Sequence, residues 1–176
     1  MLSVKQGKLP EESLLDFYTE KGHTDCYFTD VNYHLSFDQF VTAFYTTRLF
    51  RLERLILKLL VNKPSSDQQI TELLEGKSNL FAAWSMEKRV HNQLLMCDFQ
   101  KRTRSWFQIK SIDNSITRLY FGSAVVERTK GVKVNKPNLG VVFKAMLGFH
   151  KLYSILLLYS AKKRLIRSLS KNIKES

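Results

Sequence analysis

The hydrophobic positions of this 176-residue chain follow two regimes, with a boundary near Asn79. Before it the spacing is helical. Phe37, Phe40, Val41, Phe44 and Tyr45 recur at i, i+3, i+4, i+7 and i+8, Ser36 is a good N-cap, and Asp38 suits the positive end of a helix. A second stripe, Leu49, Leu52, Leu55, Ile56, Leu59 and Leu60, continues after a bend near residues 46–48. Asn62-Lys63-Pro64 ends it, because proline disfavours the α conformation in the residue before it. Ser65 or Ser66 then caps a short helix with Ile70, Leu73 and Leu74 inside and Gly76 at its end. Upstream, residues 1–24 read as a polar extension with a short helix through Leu14, Leu15 and Phe17, broken at Gly22-His23-Thr24. The aromatic and β-branched run Asp25 to Tyr33 predicts a strand.

From Asn79 to Thr129 the period drops to two. Four strands are expected: Leu80 to Lys88, Val90 to Gln100, Arg104 to Ile112, and Ile116 to Thr129. The connections, Lys88-Arg89, Lys101 to Thr103 and Asp113-Asn114, are short, so a meander of antiparallel neighbours is the economical topology. The last strand is apolar on both faces, which leaves its register open. Gly131 to Lys136 forms a short basic loop, and Pro137 to Ser170 returns to helical spacing for roughly nine turns, about 50 Å of helix.

In that last helix Leu139, Val142, Phe143, Met146, Phe149, Tyr153 and Leu156 supply an apolar stripe opposite Lys144, Lys151 and Lys162. Ile155 and Leu158 fall on the lysine side, where they could mark a homodimer contact. Lys144, His150 and Lys151 interrupt the apolar run, and the longest uncharged piece, Leu152 to Ala161, has the length of a buried helix and not of a membrane span. A strand, two or three helices, a four-strand meander and a long helix, with no internal repeat or linker, predict one α+β domain over residues 1–176. Residues 1–24 are its extension, 25–129 its strand, helices and meander, and 137–170 its long helix with a basic tail. A curved antiparallel sheet wrapped on that helix gives both apolar faces a partner.

Four stretches carry a resemblance to a known family. They are Asp25-Cys26-Tyr27, the strand from Cys97 to Ile109 with its interrupting bases, Val125-Val126-Glu127-Arg128-Thr129, and Leu147-Gly148-Phe149-His150-Lys151-Leu152. With the order of elements they make the chain similar to the helix-grip (SRPBCC) superfamily of the major birch-pollen allergen, START lipid-transfer domains and polyketide cyclases. Within it the chain resembles the bacterial family named domain of unknown function 2867. The resemblance implies a two-layer helix-grip fold with an apolar cavity between sheet and helix, holding a lipid, sterol, polyketide or other hydrophobic molecule. Lys101, Arg102 and Arg104 in the sheet region and the cationic tail depart from its typical members. The family has no activity to carry over.

The candidate lining residues for such a cavity are Trp84, Met86, Leu95, Phe99, Phe107, Ile109, Leu119, Phe121, Phe143 and Leu147. A filled core has the same pattern, so sequence does not separate the two.

Charge adds a second theme. Of the net +12, +11 lies from Arg128 onward, where twelve Lys or Arg face Glu175 alone. Lys162, Lys163, Arg164, Arg167, Lys171 and Lys174, threaded with Leu165, Ile166 and Leu169, point to contact with an anionic membrane or another polyanion, unless they only keep an apolar helix soluble. The segment KRTRSWFQIK sets Lys101, Arg102, Arg104 and Lys110 beside Trp106 and Phe107, a weak cue for single-stranded nucleic acid, since alternation places Arg104 and Phe107 on opposite faces.

Catalytic and metal signatures are absent. His23, His34, His91 and His150 lie in different elements without metal spacing, and no phosphate loop, nucleophile elbow or CxxC occurs. No cofactor is expected, and His150 reads as a helix residue near the polar boundary. Asp98 and Glu127 read as cross-strand partners of Arg102, Arg104 or Arg128, and Cys26 and Cys97 as small buried residues in a reducing compartment. The N-terminal MLSVKQGKLPEES lacks the apolar run of a signal peptide, so the expected location is a bacterial-type cytoplasm, peripheral to the inner membrane when docked. The reading is a non-enzymatic carrier or sensor of a hydrophobic small molecule. The alternatives are a cyclase- or isomerase-type enzyme using the same cavity, or a basic nucleic-acid- or protein-binding module.

Overall fold

β2 (Gly22–Val31) pairs along its whole length with β7 (Thr117–Val126), so a strand made early in the chain joins the sheet beside the last one. The remaining strands are β1 (Lys5–Gln6), β3 (Leu80–Phe81), β4 (Trp84–Val90), β5 (Gln93–Asp98) and β6 (Thr103–Ser111). Together they form one antiparallel seven-stranded sheet in the order β1-β2-β7-β6-β5-β4-β3. Between β2 and β3 lie α1 (Phe37–Tyr45), α2 (Arg48–Val61) and α3 (Gln68–Leu74), and α4 (Leu139–Glu175) ends the chain. This computed structural model describes residues 3–62, 64–126 and 139–175. The expected basic loop and the Glu127 to Thr129 strand end lie outside them, as do the side chains of Phe143, Leu147 and His150.

The α+β class and the meander follow the sequence pattern, and four details depart from it. β2 starts at Gly22 and not at Asp25, so Gly22 to Thr24, which follow the short N-terminal helix, are already strand: a Cβ at Gly22 would sit 2.1 Å from the Val125 carbonyl oxygen, so glycine marks close strand contact there. The first meander strand divides into a tight β3–β4 hairpin, whose turn residue Ala82 has φ of 53°. Lys88 and Arg89 lie inside β4 beside an irregularity between Met86 and Lys88, and the turn falls at His91-Asn92. Finally, Asp67 and neither serine is the N-cap residue of α3, but its carboxylate is drawn away to Arg51 and Arg54 and makes no cap bond. The end of α3 is as expected, with Gly76 N–H bonding Leu73 O and Lys77 N–H bonding Glu72 O.

The core divides by sheet face. The inner face supplies Tyr27, Val31, Phe81, Leu94, Met96, Phe107, Leu119 and Phe121, packed against α1 and against Leu157, Leu158, Ala161 and Leu165 of α4. The outer face carries Cys26, Leu95, Trp106, Tyr120 and Ala124, covered by Leu15 and Tyr18 of the N-terminal extension. Its short helix is a 3-10 turn at Asp16–Tyr18. Both cysteines are buried free thiols.

Two helices turn differently from expectation. In α4 the buried line is Ser154, Leu157, Leu158, Ala161 and Leu165, so Leu158 is core while Leu156 is partly exposed; Leu158 therefore offers no dimer contact. In α2 the inner residues are Leu49, Phe50, Glu53 and Arg54, and the apolar stripe Leu52, Leu55, Ile56 and Leu59 faces outward.

Candidate functional site

The interior beneath α4 is crowded near α1. Phe44 lies 4.8 Å from Phe107 and 4.7 Å from Phe121, centroid to centroid, and Tyr45 lies 4.7 Å from Phe81. Phe50 extends the cluster to Trp84 at 5.5 Å. Here Phe107, Leu119 and Phe121 are buried members of the inner core cluster. Trp84, Met86 and Ile109 also pack on the inner side but keep part of their surface accessible.

Two expected lining residues do not belong to this face. Leu95 packs on the outer side with Trp106, because β5 is apolar on both faces and Leu94 and Met96 take the inner one. Phe99 follows the end of β5 and is 48% exposed. Phe143 and Leu147 are on α4 within the stretch whose side chains are not described.

Polar groups meet the apolar interior at the α2–α4 contact. Glu53 projects from the inner side of α2, and the Tyr153 hydroxyl of α4 donates to its carboxylate. Burial drives the Glu53 carboxyl up from 4.5 to about 7, against the lowering effect of the Tyr153 bond. Burial, and then the nearby Glu53 charge, push both Tyr45 and Tyr153 far above the ordinary phenol value. The Tyr45 hydroxyl is buried without a hydrogen-bond partner among the described residues, as is the Ser154 hydroxyl on α4. A second buried acid, Asp25 on β2, is satisfied: it accepts from Ser123 N–H at 3.1 Å and Ser123 Oγ at 2.6 Å.

Sequence reasoning missed Glu53 entirely. Its signal was an acid three residues after Phe50 and four after Leu49, on the apolar side of α2.

The basic candidates separate. Lys162 turns inward, its ammonium donating to Ser3 Oγ at 2.9 Å and Thr29 Oγ1 at 3.2 Å, and so ties α4 to the sheet edge. Lys163, Arg164 and Arg167 are exposed and, with Lys171 and Arg48, line a groove of about 820 Å³ between α1, the start of α2 and α4. Asp38 is the acid on that groove, 3.3 Å from Arg89. The side chain of Lys174 is not described.

The KRTRSWFQIK segment gives its aromatics to the two cores. Trp106 is buried on the outer face, donating to Gln93 Oε1 at 2.9 Å, and Phe107 is buried on the inner. Arg104 pairs with Glu87 at 3.0 Å and lies over the Tyr18 ring, so no base–aromatic stacking surface forms there. Asp98 accepts backbone N–H groups from Arg102 and Thr103 and forms no cross-strand ion pair with Arg104. No group of His, Cys, Asp and Glu suited to a metal ion occurs among the described residues.

What these elements define is an α+β protein: a seven-stranded antiparallel sheet with a long C-terminal helix on its inner face. No family model matches the chain, and no curated protein does. Among solved structures it is similar to a conserved protein of unknown function from Enterococcus faecalis, at 11% identity and a TM-score of 0.35, over 89% of this chain and 95% of that one. No helix among the described residues is long and apolar enough to cross a membrane.

Proposed function

We propose that this is a helix-grip protein, related to the domain-of-unknown-function 2867 family, that carries or senses a hydrophobic small molecule held between the sheet and α4. The strand order supports the fold reading: the first long strand lies beside the last, the intervening helices precede the meander, and the long helix follows it. The observation that carries the ligand reading is the Tyr45 hydroxyl, buried in an aromatic interior and unpartnered. Apolar pockets use a few such groups to orient a ligand's polar end, and an unpaired buried hydroxyl is costly in its absence.

Native mass spectrometry of the purified protein, followed by organic extraction, tests this. A stoichiometric apolar adduct bearing a hydrogen-bonding head is expected. A clean apo mass together with failure of titrated fatty acids, sterols and phospholipids to bind would overturn the carrier reading.

A second reading rests on Glu53. A carboxyl whose pKa lies near 7, bonded to a tyrosine beside an apolar interior, suits proton transfer to or from a bound ligand, as a cyclase- or isomerase-type enzyme would require. If an extracted ligand is recovered chemically changed by the wild type and unchanged by Glu53→Gln, the enzyme reading replaces the carrier.

A further inference from the structure

The apolar stripe of α2 is amphipathic in the wrong sense for a core helix. Leu52, Leu55, Ile56 and Leu59 recur at i, i+3, i+4 and i+7 on its solvent side, and they are 54, 50, 47 and 73% exposed. Leu152 and Leu156 are also exposed, one turn apart, on α4, the helix whose Tyr153 bonds Glu53 of α2. Scattered exposed leucines need no explanation, but four aliphatic side chains on one face of α2 form a patch.

The charge around the patch is of one dominant sign. Arg48 begins α2 on the azimuth of the stripe, and Arg51 and Lys58 flank it, Arg51 being paired with Asp67. At the Arg48 end the surface runs directly into the basic groove, because Arg48 and Leu49 are among its lining residues. Arg164 and Arg167 face them there from α4.

We propose that the outward face of α2, with Leu152 and Leu156 and the adjoining groove, docks the protein onto an anionic lipid bilayer, the aliphatic stripe entering the acyl boundary and the groove taking a lipid phosphate. Aliphatic side chains in a row, bounded by arginine and lysine, match the apolar and anionic layers of such an interface. A stacked nucleic acid would need aromatic platforms, and the stripe has none. This surface differs from a tail anchor: the bases that matter are on α2 and on the groove side of α4, and Lys162 is already committed to the sheet edge. The inference stands apart from whether a ligand occupies the interior.

Sedimentation of the full chain with vesicles of phosphatidylcholine, with and without phosphatidylglycerol, tests it. Wild-type protein is expected to pellet only with the anionic vesicles and to be released by salt. The double variant Leu55→Gln/Leu59→Gln should lose partitioning by roughly tenfold or more, and each of Arg48→Gln, Arg164→Gln and Arg167→Gln by roughly fivefold. All are at solvent-exposed positions, so circular dichroism and melting should stay as in wild type. Three results would overturn the proposal. One is binding of inorganic phosphate or glycerophosphoglycerol without vesicle binding, which makes the groove a site for soluble anions. Another is a concentration-dependent dimer abolished by Leu55→Gln/Leu59→Gln, which makes the stripe an interface between copies. The third is vesicle binding unchanged in every variant.

Discussion

Tyr45 sits where the chain gains least from a hydroxyl: its ring is packed against Phe44, Phe50, Phe81 and Phe107, and its oxygen has no partner among the described residues. Removing such an atom relieves a desolvation cost, so Tyr45→Phe should stabilise the ligand-free protein by about 1 kcal/mol, measured by urea denaturation, while weakening binding of any extracted ligand. A destabilised Tyr45→Phe protein would show that the hydroxyl is satisfied and remove the argument for the pocket. Glu53 has the opposite character. Its folded pKa of about 7 exceeds the ordinary 4.5, so below pH 4.5 both folded and unfolded states are protonated and its contribution is fully present. As pH rises toward and through 7 the folded state must ionise a desolvated carboxyl, and up to about 3 kcal/mol of stability is lost. Glu53→Gln should flatten that decline in chemical-denaturation midpoints measured from pH 4.5 to 8. Glu53 was hidden in the sequence because a single acid in a helix rich in arginine and lysine reads as a surface residue. Only the Tyr153 contact, a hundred residues away in the chain, shows which way it points.

At the scale of elements, the start of α1, the α1–α2 break and the end of α3 are the best-specified features. Ser36 caps α1 and Gln39 closes the reciprocal bond, a capping box, so Ser36→Ala should cost about 1 kcal/mol in thermal or urea unfolding. The break between α1 and α2 was legible at residues 46–48, where the Thr46 and Thr47 hydroxyls bond back to the Thr42 and Phe44 carbonyls. What was not legible is which side of an element faces in. Helical periodicity finds a stripe but not the body it packs on, and α2 points Leu52, Leu55, Ile56 and Leu59 at solvent. In α4 nearly every azimuth has apolar residues, so the buried line shifted by a residue or two and brought Leu158 in. Alternation likewise fails in β5, where Leu94 and Leu95 both meet a core, and this is why Leu95 was misplaced in the candidate pocket.

For the whole molecule, the N-terminal extension is a third layer. It crosses the outer face of the sheet so closely that a Cβ added at Gly122 would meet Leu15 Cδ2 at 2.9 Å, Trp106 at 3.0 Å and the Asp25 carbonyl oxygen at 2.8 Å. Backbone cannot give way as a flexible side chain can, so Gly122→Ala should destabilise by about 1–3 kcal/mol in urea unfolding. Leu15→Ala, at a fully buried position beneath that layer, should cost about 2–5 kcal/mol and expose Trp106 fluorescence to quenching by acrylamide. An unchanged Trp106 environment in Leu15→Ala would mean that the extension rests on the sheet without holding it closed. Composition could not signal this layer: residues 1–24 are mostly polar, and four of their apolar residues, Leu9, Leu14, Leu15 and Tyr18, do the covering.

The pairing of β2 with β7 also sets a timetable for synthesis. When Val31 leaves the ribosome, its partner Thr117 has not yet been made, and four strands must follow before Val126 can meet Gly22. Until then β2 presents unpaired backbone on the edge that will face β7, while β3 to β6 can already hairpin with near neighbours. Loop closure over that span delays the final sheet, so Cys26, Tyr27 and Val31, core residues of the finished protein, stay without their β7 partners until the end of the meander has been made.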